Sequence, residues 1–319
     1  MIPENRRLLV LCLAVIAGLF ALQFVLTGYL VLTLTRIMIF AVFAMGYNIL
    51  MGYTGLLSLG HAMFFSVGLY AAGLSAYYWG VPLLWSFVLG IAVSAAVSAL
   101  IALLALKTQT VAFMIVTLMF SQVAYLAILH FSPITGGDQG LTLPPAARSL
   151  DLLGMTLDVT SQATRYNIAL VVFAAVLLLT HAVTRGPFGR LLIAVRENEG
   201  RTDMLGFDTH AIKLMAFVLS GTIAGTAGAL HALMFGYIGA SSAEFQNSIQ
   251  PLLFTLVGGA GTLLGPLVGT ALMTLLIDRL SGVTTAYLIV VGVLLIVMTL
   301  WFPKGILGTI RDRWVRWLN

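Results

Sequence analysis

"IMIFAVFAMGYNILMGYTGLLSLGHAMFFSVGLYAAGLSAYYWGVPLLWSFVLGIAVSAAVSALIALLAL", Ile37 to Leu106, contains no Asp, Glu, Lys or Arg. A bilayer core takes roughly 20 apolar residues as a helix, so this one stretch has room for three crossings. The pattern extends along the chain: Leu8–Thr35, Thr108–Gly137, Tyr166–Thr184, Leu214–Ala243, Phe245–Ile277 and Leu280–Pro303 also lack all four residue types. Of the 319 residues 60% are hydrophobic and only 8% charged, with a mean hydropathy of +1.05. A soluble domain is roughly a quarter charged, and one buried core cannot absorb such an apolar excess. The sequence therefore predicts an all-α, polytopic transmembrane helical bundle, a single domain over residues 1–319. It has about ten helical segments, with room among them for broken or re-entrant helices.

Cys12 is the lone cysteine, so no disulfide framework exists. Arg6 and Arg7 precede an apolar run too long for a secretory signal and without a clear small-x-small cleavage site, which favours a retained first helix. The formal charge of +5 reflects topology. No basic stripe with interleaved aromatics suggests nucleic acid.

Cations near helix ends favour the cytoplasm. By that rule Arg6 and Arg7 place the N-terminus inside, and Lys304, Arg311, Arg313 and Arg316 place the tail, 304–319, inside as well. The segment from about Arg185 to Lys213 gathers nine charged residues and forms a third cytoplasmic cluster. The loop of about 131–165, with three acids and two arginines, fits the outside. Helices from about Leu8, three between Tyr29 and Leu106, Gln109–His130, Tyr166–Thr184 and Lys213–Gly236 satisfy the alternation. Three more, about Ile249–Gly258, Leu264–Leu280 and Thr284–Phe302, return the tail to the cytoplasm; a re-entrant hairpin plus one helix satisfies parity equally.

Two glycine-rich stretches interrupt the apolar helices. "NILMGYTGLLSLGHAMFFSVGLYAAG" (Asn48–Gly73) carries Gly52, Gly55 and Gly60 ahead of His61, and "LVGGAGTLLGPLVG" (Leu256–Gly269) carries Gly258, Gly259 and Gly261. Glycine allows close helix approach in lipid. Unwound backbone at membrane depth is tolerated only where protein buries it or it lines a cavity, and transporters place such pairs around the substrate path. Both readings stand. Asn48, Ser58, His61 and Gln122 are intramembrane polar groups that suit interhelical hydrogen bonds as well as a path lining. Almost no carboxylate lies within the apolar runs, and Glu244 and Asp278 fall at helix ends. A proton- or sodium-coupled carrier needs such groups, so the driving energy is expected from elsewhere. The scattered His130, His181, His210 and His231 have no carboxylate at ligand spacing, which speaks against a metal site or a membrane enzyme.

In the charged segment Leu191, Leu192, Val195, Met204 and Leu205 recur at roughly helical spacing. This predicts one amphipathic helix, or two broken at Gly200 or Gly206. Five cations against four acids suit a lipid surface poorly, since an interfacial helix wants a cationic face. A solvated topology-setting loop and a protein-docking element remain.

"GPFGRLLIAVRENEGRTDMLGFDTHAIKLMAFVLSGTIAGTAGAL", Gly186–Leu230, resembles the cytoplasmic signature of permease subunits of branched-chain amino acid ABC importers, and more narrowly the M-type of the two permeases in that system. The pattern falls on Gly189, Arg190, Ala194, Arg196, Glu197, Asn198 and Glu199, followed by Leu205–Gly206. "TGGDQGL" at Thr135–Leu141, both glycine stretches and "FPKGILG" near the C-terminus extend the resemblance across nearly the whole chain. Gln139 departs from the family, which has Ser or Asn there.

The resemblance implies a bacterial inner-membrane, multi-pass subunit with both termini cytoplasmic and no ATPase site of its own. Two permeases would form the path, two cytoplasmic ATPase subunits would bind ATP and Mg, and a periplasmic binding protein would deliver substrate. It implies that Arg190, Ala194, Arg196, Glu197, Asn198, Glu199 and Gly206 serve ATPase coupling. Asn48, Gly52, Gly55, Ser58, Gly60, His61, Gln122, Gly258, Gly259 and Gly261 are candidates for the path, and Gly136, Gly137, Asp138 and Gly140 for the outer rim. The sequence carries no Gly-x-x-x-x-Gly-Lys-Ser/Thr phosphate loop, consistent with a separate motor. Branched-chain amino acids are the expected substrate, with urea, amides or aromatic and other carboxylic acids as same-family alternatives and an ion-coupled carrier as the more distant one.

Overall fold

A computed structural model describes residues 3–108, 110–144, 149–152, 155–282, 286–302 and 304–313. Gln109, Thr284, Pro303 and Arg316, used in the sequence reading, lie outside the described residues. The long helices are α1 (Pro3–Leu22), α2 (Gly28–Asn48), α3 (His61–Trp79), α4 (Leu83–Ala105) and α5 (Thr110–His130). A short α6 (Ser132–Thr135) and strands β1 (Leu141–Thr142), β2 (Ser149–Leu152) and β3 (Met155–Asp158) follow, the last two forming a hairpin. Then come α7 (Gln162–Arg185), the short α8 (Pro187–Glu197) and α9 (Glu199–Met204), and α10 (Thr209–Phe235). β4 (Tyr237–Ile238) precedes α11 (Phe245–Gly258), α12 (Gly265–Ser281), α13 (Tyr287–Trp301) and α14 (Gly305–Arg313). A π-helical turn, Ile49–Tyr53, extends α2.

Every expected membrane segment is present as a helix. Among the described residues five spans are long and apolar enough to cross a bilayer: α2 with its π-turn, α4, α5, α7 and α10. α3 falls short of that measure because it carries Ser66, Gly68, Tyr70, Gly73 and Ser75, all buried or half-buried among other helices. A helix shielded from lipid does not need lipid-facing side chains. α11, at 14 residues, is about 21 Å long, too short for a core of roughly 30 Å. It begins deep: Ser121, in the middle of α5, donates to the carbonyl of Ala243 (3.4 Å), and Ala62 N at the start of α3 donates to Ser248 Oγ (2.9 Å). Residues 236–244 therefore complete this crossing as strand and 3₁₀ turn rather than α-helix, an interruption the sequence reading missed.

The centre is built from α2, α3, α4 and α10, held together by small residues. A Cβ at Gly68 would strike the carbonyl of Gly225 on α10, one at Gly228 the carbonyl of Phe65 on α3, and one at Gly225 the side chain of Ser94 on α4. Backbones this close gain dispersion contact along the whole seam, which is what drives helix association where lipid is as apolar as leucine. At the opposite end from the charged segment, Gln162 on α7 donates to the carbonyl of Gly28 on α2. The Tyr166 hydroxyl on α7 donates to Leu19 O on α1 at 2.5 Å.

Candidate functional site

The charged segment folds as two short helices between α7 and α10. Pro187 opens α8, where a missing N–H costs nothing. The break between them comes at Asn198, not at Gly200, and the expected break at Gly206 falls between α9 and α10. Asn198 adopts an extended backbone (φ −160°, ψ 96°), ends α8, and its side chain accepts from Arg201 N at 2.9 Å to cap α9. A side-chain acceptor satisfies an N–H that a glycine would leave bare, and Gly200 is accommodated inside α9. Gly206 (φ +88°) makes the turn after α9. Asp208 then caps α10 by accepting from Ala211 N at 2.9 Å, so α10 starts before Lys213.

The apolar ridge read from the sequence splits in two. Leu192 and Val195 are buried against the bundle, whereas Met204 is 89% and Leu205 71% exposed, with Phe207 beside them. Arg190, Glu197 and Arg201 are exposed and pair with no charged group among the described residues, Ala194 is half-buried, and Glu199 pairs with Lys213. Between this segment and the membrane helices lies a cleft of about 670 Å³, lined by Gly55, Leu56, Thr108, Arg196, Glu197 and Lys213 among others.

Both glycine stretches break their helices, and the breaks meet. Residues 54–60 separate the π-turn from α3, and 259–264 separate α11 from α12. Asn48, 3% exposed, joins them: its Nδ2 donates to Thr262 O and its Oδ1 accepts from Gly261 N, both at 2.9 Å. A Cβ at Gly52 would fall 2.5 Å from Gly261 N. The Arg196 guanidinium reaches across from α8 to donate to Gly52 O. Gly55 (φ +78°) packs along the Arg196 stem, and Gly261 (φ +74°) faces its Nη1. Gly259 (φ +122°) abuts α14 at Gly308 N, and Gly258 abuts the carbonyl of Gly265.

The first break climbs into the bundle alongside α5. Tyr47 donates its hydroxyl to Ser58 O (3.0 Å), Thr117 Oγ1 accepts from Leu59 N (3.2 Å), and a Cβ at Gly60 would strike the Thr117 carbonyl. His61 is fully buried with Nε2 2.7 Å from Ser220 Oγ, and Ser220 donates its single hydroxyl proton to Gly46 O at 2.6 Å. Ser220 can then only accept from His61, so the proton sits on Nε2. No group of three or more His, Cys, Asp or Glu capable of holding a metal occurs among the described residues.

Gln122 stands apart from this cluster, exposed on α5 among exposed Met119, Val123 and Leu126. In "TGGDQGL" Gly136, Gly137 and Gly140 all have positive φ, and Asp138 and Gln139 are exposed. The stretch feeds β1, which pairs antiparallel with β4 (Leu141 with Ile238), and Gly140 lies against the Ile238 carbonyl. This loop is thus tied to the segment that leaves α10. One ion pair escaped the sequence reading: Arg36 on α2 lies 3.9 Å from Asp278 on α12. Arg36 stands alone between two apolar runs, but Asp278 is followed directly by Arg279, so the sequence did not single out this partner.

A family model described as "Branched-chain amino acid transport system / permease component" matches residues 29–299. The high-affinity branched-chain amino acid transport system permease protein LivM of Salmonella typhimurium (strain LT2) is 28% identical over 97% of this chain and 76% of its own length. LivM of Escherichia coli (strain K12) is 27% identical over 88% of this chain and 70% of its own. The permease LivH of S. typhimurium is more distant, at 23% over 84% and 91%. No solved structure matches. With a broken-helix bundle carrying a charged helical pair on one end, and a family match spanning most of its length, the chain belongs to the branched-chain amino acid transport permease family, on the M-type side of it.

Proposed function

We propose that this chain, as one permease domain over residues 1–319, is half of the translocation path of an ATP-driven importer for branched-chain amino acids. It lies in a bacterial inner membrane with both termini cytoplasmic, and it hydrolyses nothing itself. ATP and Mg act on two separate ATPase subunits, and a periplasmic binding protein docks on the rim of Gly136, Gly137, Asp138 and Gly140. The observation that carries the reading is the split ridge of the charged segment. Leu192 and Val195 anchor the segment to the bundle, while Met204, Leu205 and Phe207 stand out among Arg201, Asp203 and Asp208. An exposed apolar knob ringed by both charge signs suits a groove in a soluble protein, with the charges setting register. The branched-chain substrate rests on the family and on the names of the LivM relatives.

A second permease of similar fold is expected against α5, where Gln122 is exposed. An amide in hydrocarbon is costly unless a partner or an aqueous path meets it, and a seam between two permeases supplies either. In a Cys12→Ser background, Gln122→Cys alkylated with a thiol-reactive photo-cross-linker should cross-link to the sister permease on illumination, and labelling without a cross-linked product would remove α5 from the seam. Docking is tested by Met204→Asp and Leu205→Asp. The ATPases should fall away on purification while the permease still inserts; unchanged co-purification of both variants would sink the docking assignment.

A further inference from the structure

We infer that Arg196 and Asn48 form an internal latch that passes motion of the charged helices to both broken helices at once. The inference rests on the importer reading above and adds to it, because Arg196 acts inward on the path rather than outward on an ATPase. Three independent pieces of chain meet at one point. α8 contributes the Arg196 guanidinium, the first break contributes Gly52 and Gly55, and the second contributes Gly261 and Thr262.

The chemistry of each bond explains the residue type. Gly52 lies at the C-terminal end of the extended α2, where carbonyls run out of intrahelical donors, and a cation is favoured there by the helix dipole. Arg196 supplies both the donor and the charge. Asn48 presents one acceptor and one donor side by side, matching consecutive N–H and C=O groups of Gly261 and Thr262 in a two-point clasp. Asp or Leu cannot reproduce this. Glycines 52 and 261 let the backbones touch: a Cβ on Gly261 would fall 3.1 Å from Gly52 O and 3.2 Å from Arg196 Nη1.

α8 is anchored in the bundle through Leu192 and Val195, and the cleft of about 670 Å³ lies beside Arg196 and Gly55. Displacement of α8 by a docked partner is thus transmitted through Arg196 to Gly52, and through the Asn48 clasp to Gly261, while the cleft leaves space for the movement. In this account Arg196 is a positioning residue. It touches neither substrate nor nucleotide.

The test uses the complete importer, with both permeases and both ATPases, in proteoliposomes supplied with the binding protein and leucine. Arg196→Ala should keep both ATPases bound and hydrolysing ATP. The ratio of leucine transported to ATP hydrolysed should fall at least about tenfold, the scale of one hydrogen bond from a charged donor. Arg196→Lys, which keeps the charge and a donor, should recover most of that ratio, and it carries the comparison should Arg196→Ala fail to accumulate. Asn48→Leu should show the same loss, and the double variant no more than either single change, as expected of groups acting as one unit. An unchanged ratio in Arg196→Ala overturns the latch. Loss of ATPase binding in Arg196→Ala overturns it too, making Arg196 a docking residue and leaving the importer reading intact. If no complex, wild type included, transports leucine on ATP, it is the importer reading that fails.

Discussion

α10 and α5 are both long, charge-poor helices, yet they do opposite things. In its most apolar window α10 is 61% buried and α5 17%, and α5 is the more apolar of the two by mean hydropathy. In a soluble protein that order would be reversed. In a bilayer the apolar residues face lipid, and helices meet along glycine, alanine and serine. Gly221, Gly225 and Gly228 of α10 pack against Ser98, Ser94 and the Phe65 carbonyl, while α5 turns Val111, Ile115, Met119 and Val123 outward. The seams of α10 are therefore marked by small residues, large side chains such as Phe64 and Phe217 fill the core beside them, and those of α5 face outward.

The largest effect that comparison predicts is at Gly228. Gly228→Leu would drive a side chain into the Phe65 carbonyl and should cost about 3 kcal/mol or more by overpacking a closed seam. It should be seen as loss of folded chain in a detergent thermal-unfolding assay, and wild-type stability would break the comparison. A middle effect is expected where α2 meets α12. Arg36→Met should strand Asp278 and cost more than the pair Arg36→Met with Asp278→Asn, because an uncompensated charge is worse than none. The smallest is expected on α5. Val123→Ala should change unfolding by under about 0.5 kcal/mol in the isolated subunit, as is usual for an exposed site. A larger effect in the assembled importer would sharpen the assignment of α5 to the seam between permeases.

The helices were legible because lipid imposes a single rule on their outward faces. Ile37–Leu106 divides into α2, α3 and α4 much as its length suggests. The breaks were also legible as glycine clusters, but not their convergence, since neither Asn48 nor Arg196 signals its partner across more than 140 residues of chain. Asn198 was passed over in favour of Gly200 because a capping side chain shows itself only once the helix after it is known. The interrupted entry of α11 was missed because Tyr237–Ala243 reads as a continuation of an apolar run, and the depth of its contact with Ser121 is a tertiary fact. The outward turn of Met204 and Leu205 follows from that same unforeseen break at Asn198, which rotates α9 away from the face that α8 buries.

The central claim is that an external ATPase, acting through the charged helices, drives transport along this bundle. It is tested most directly by leucine uptake into proteoliposomes holding the assembled importer, with ATP and Mg on the ATPase side and no ion gradient. The account predicts uptake that needs ATP and the binding protein and is abolished with Leu205→Asp. Uptake driven by a proton or sodium gradient in the absence of ATP would contradict it.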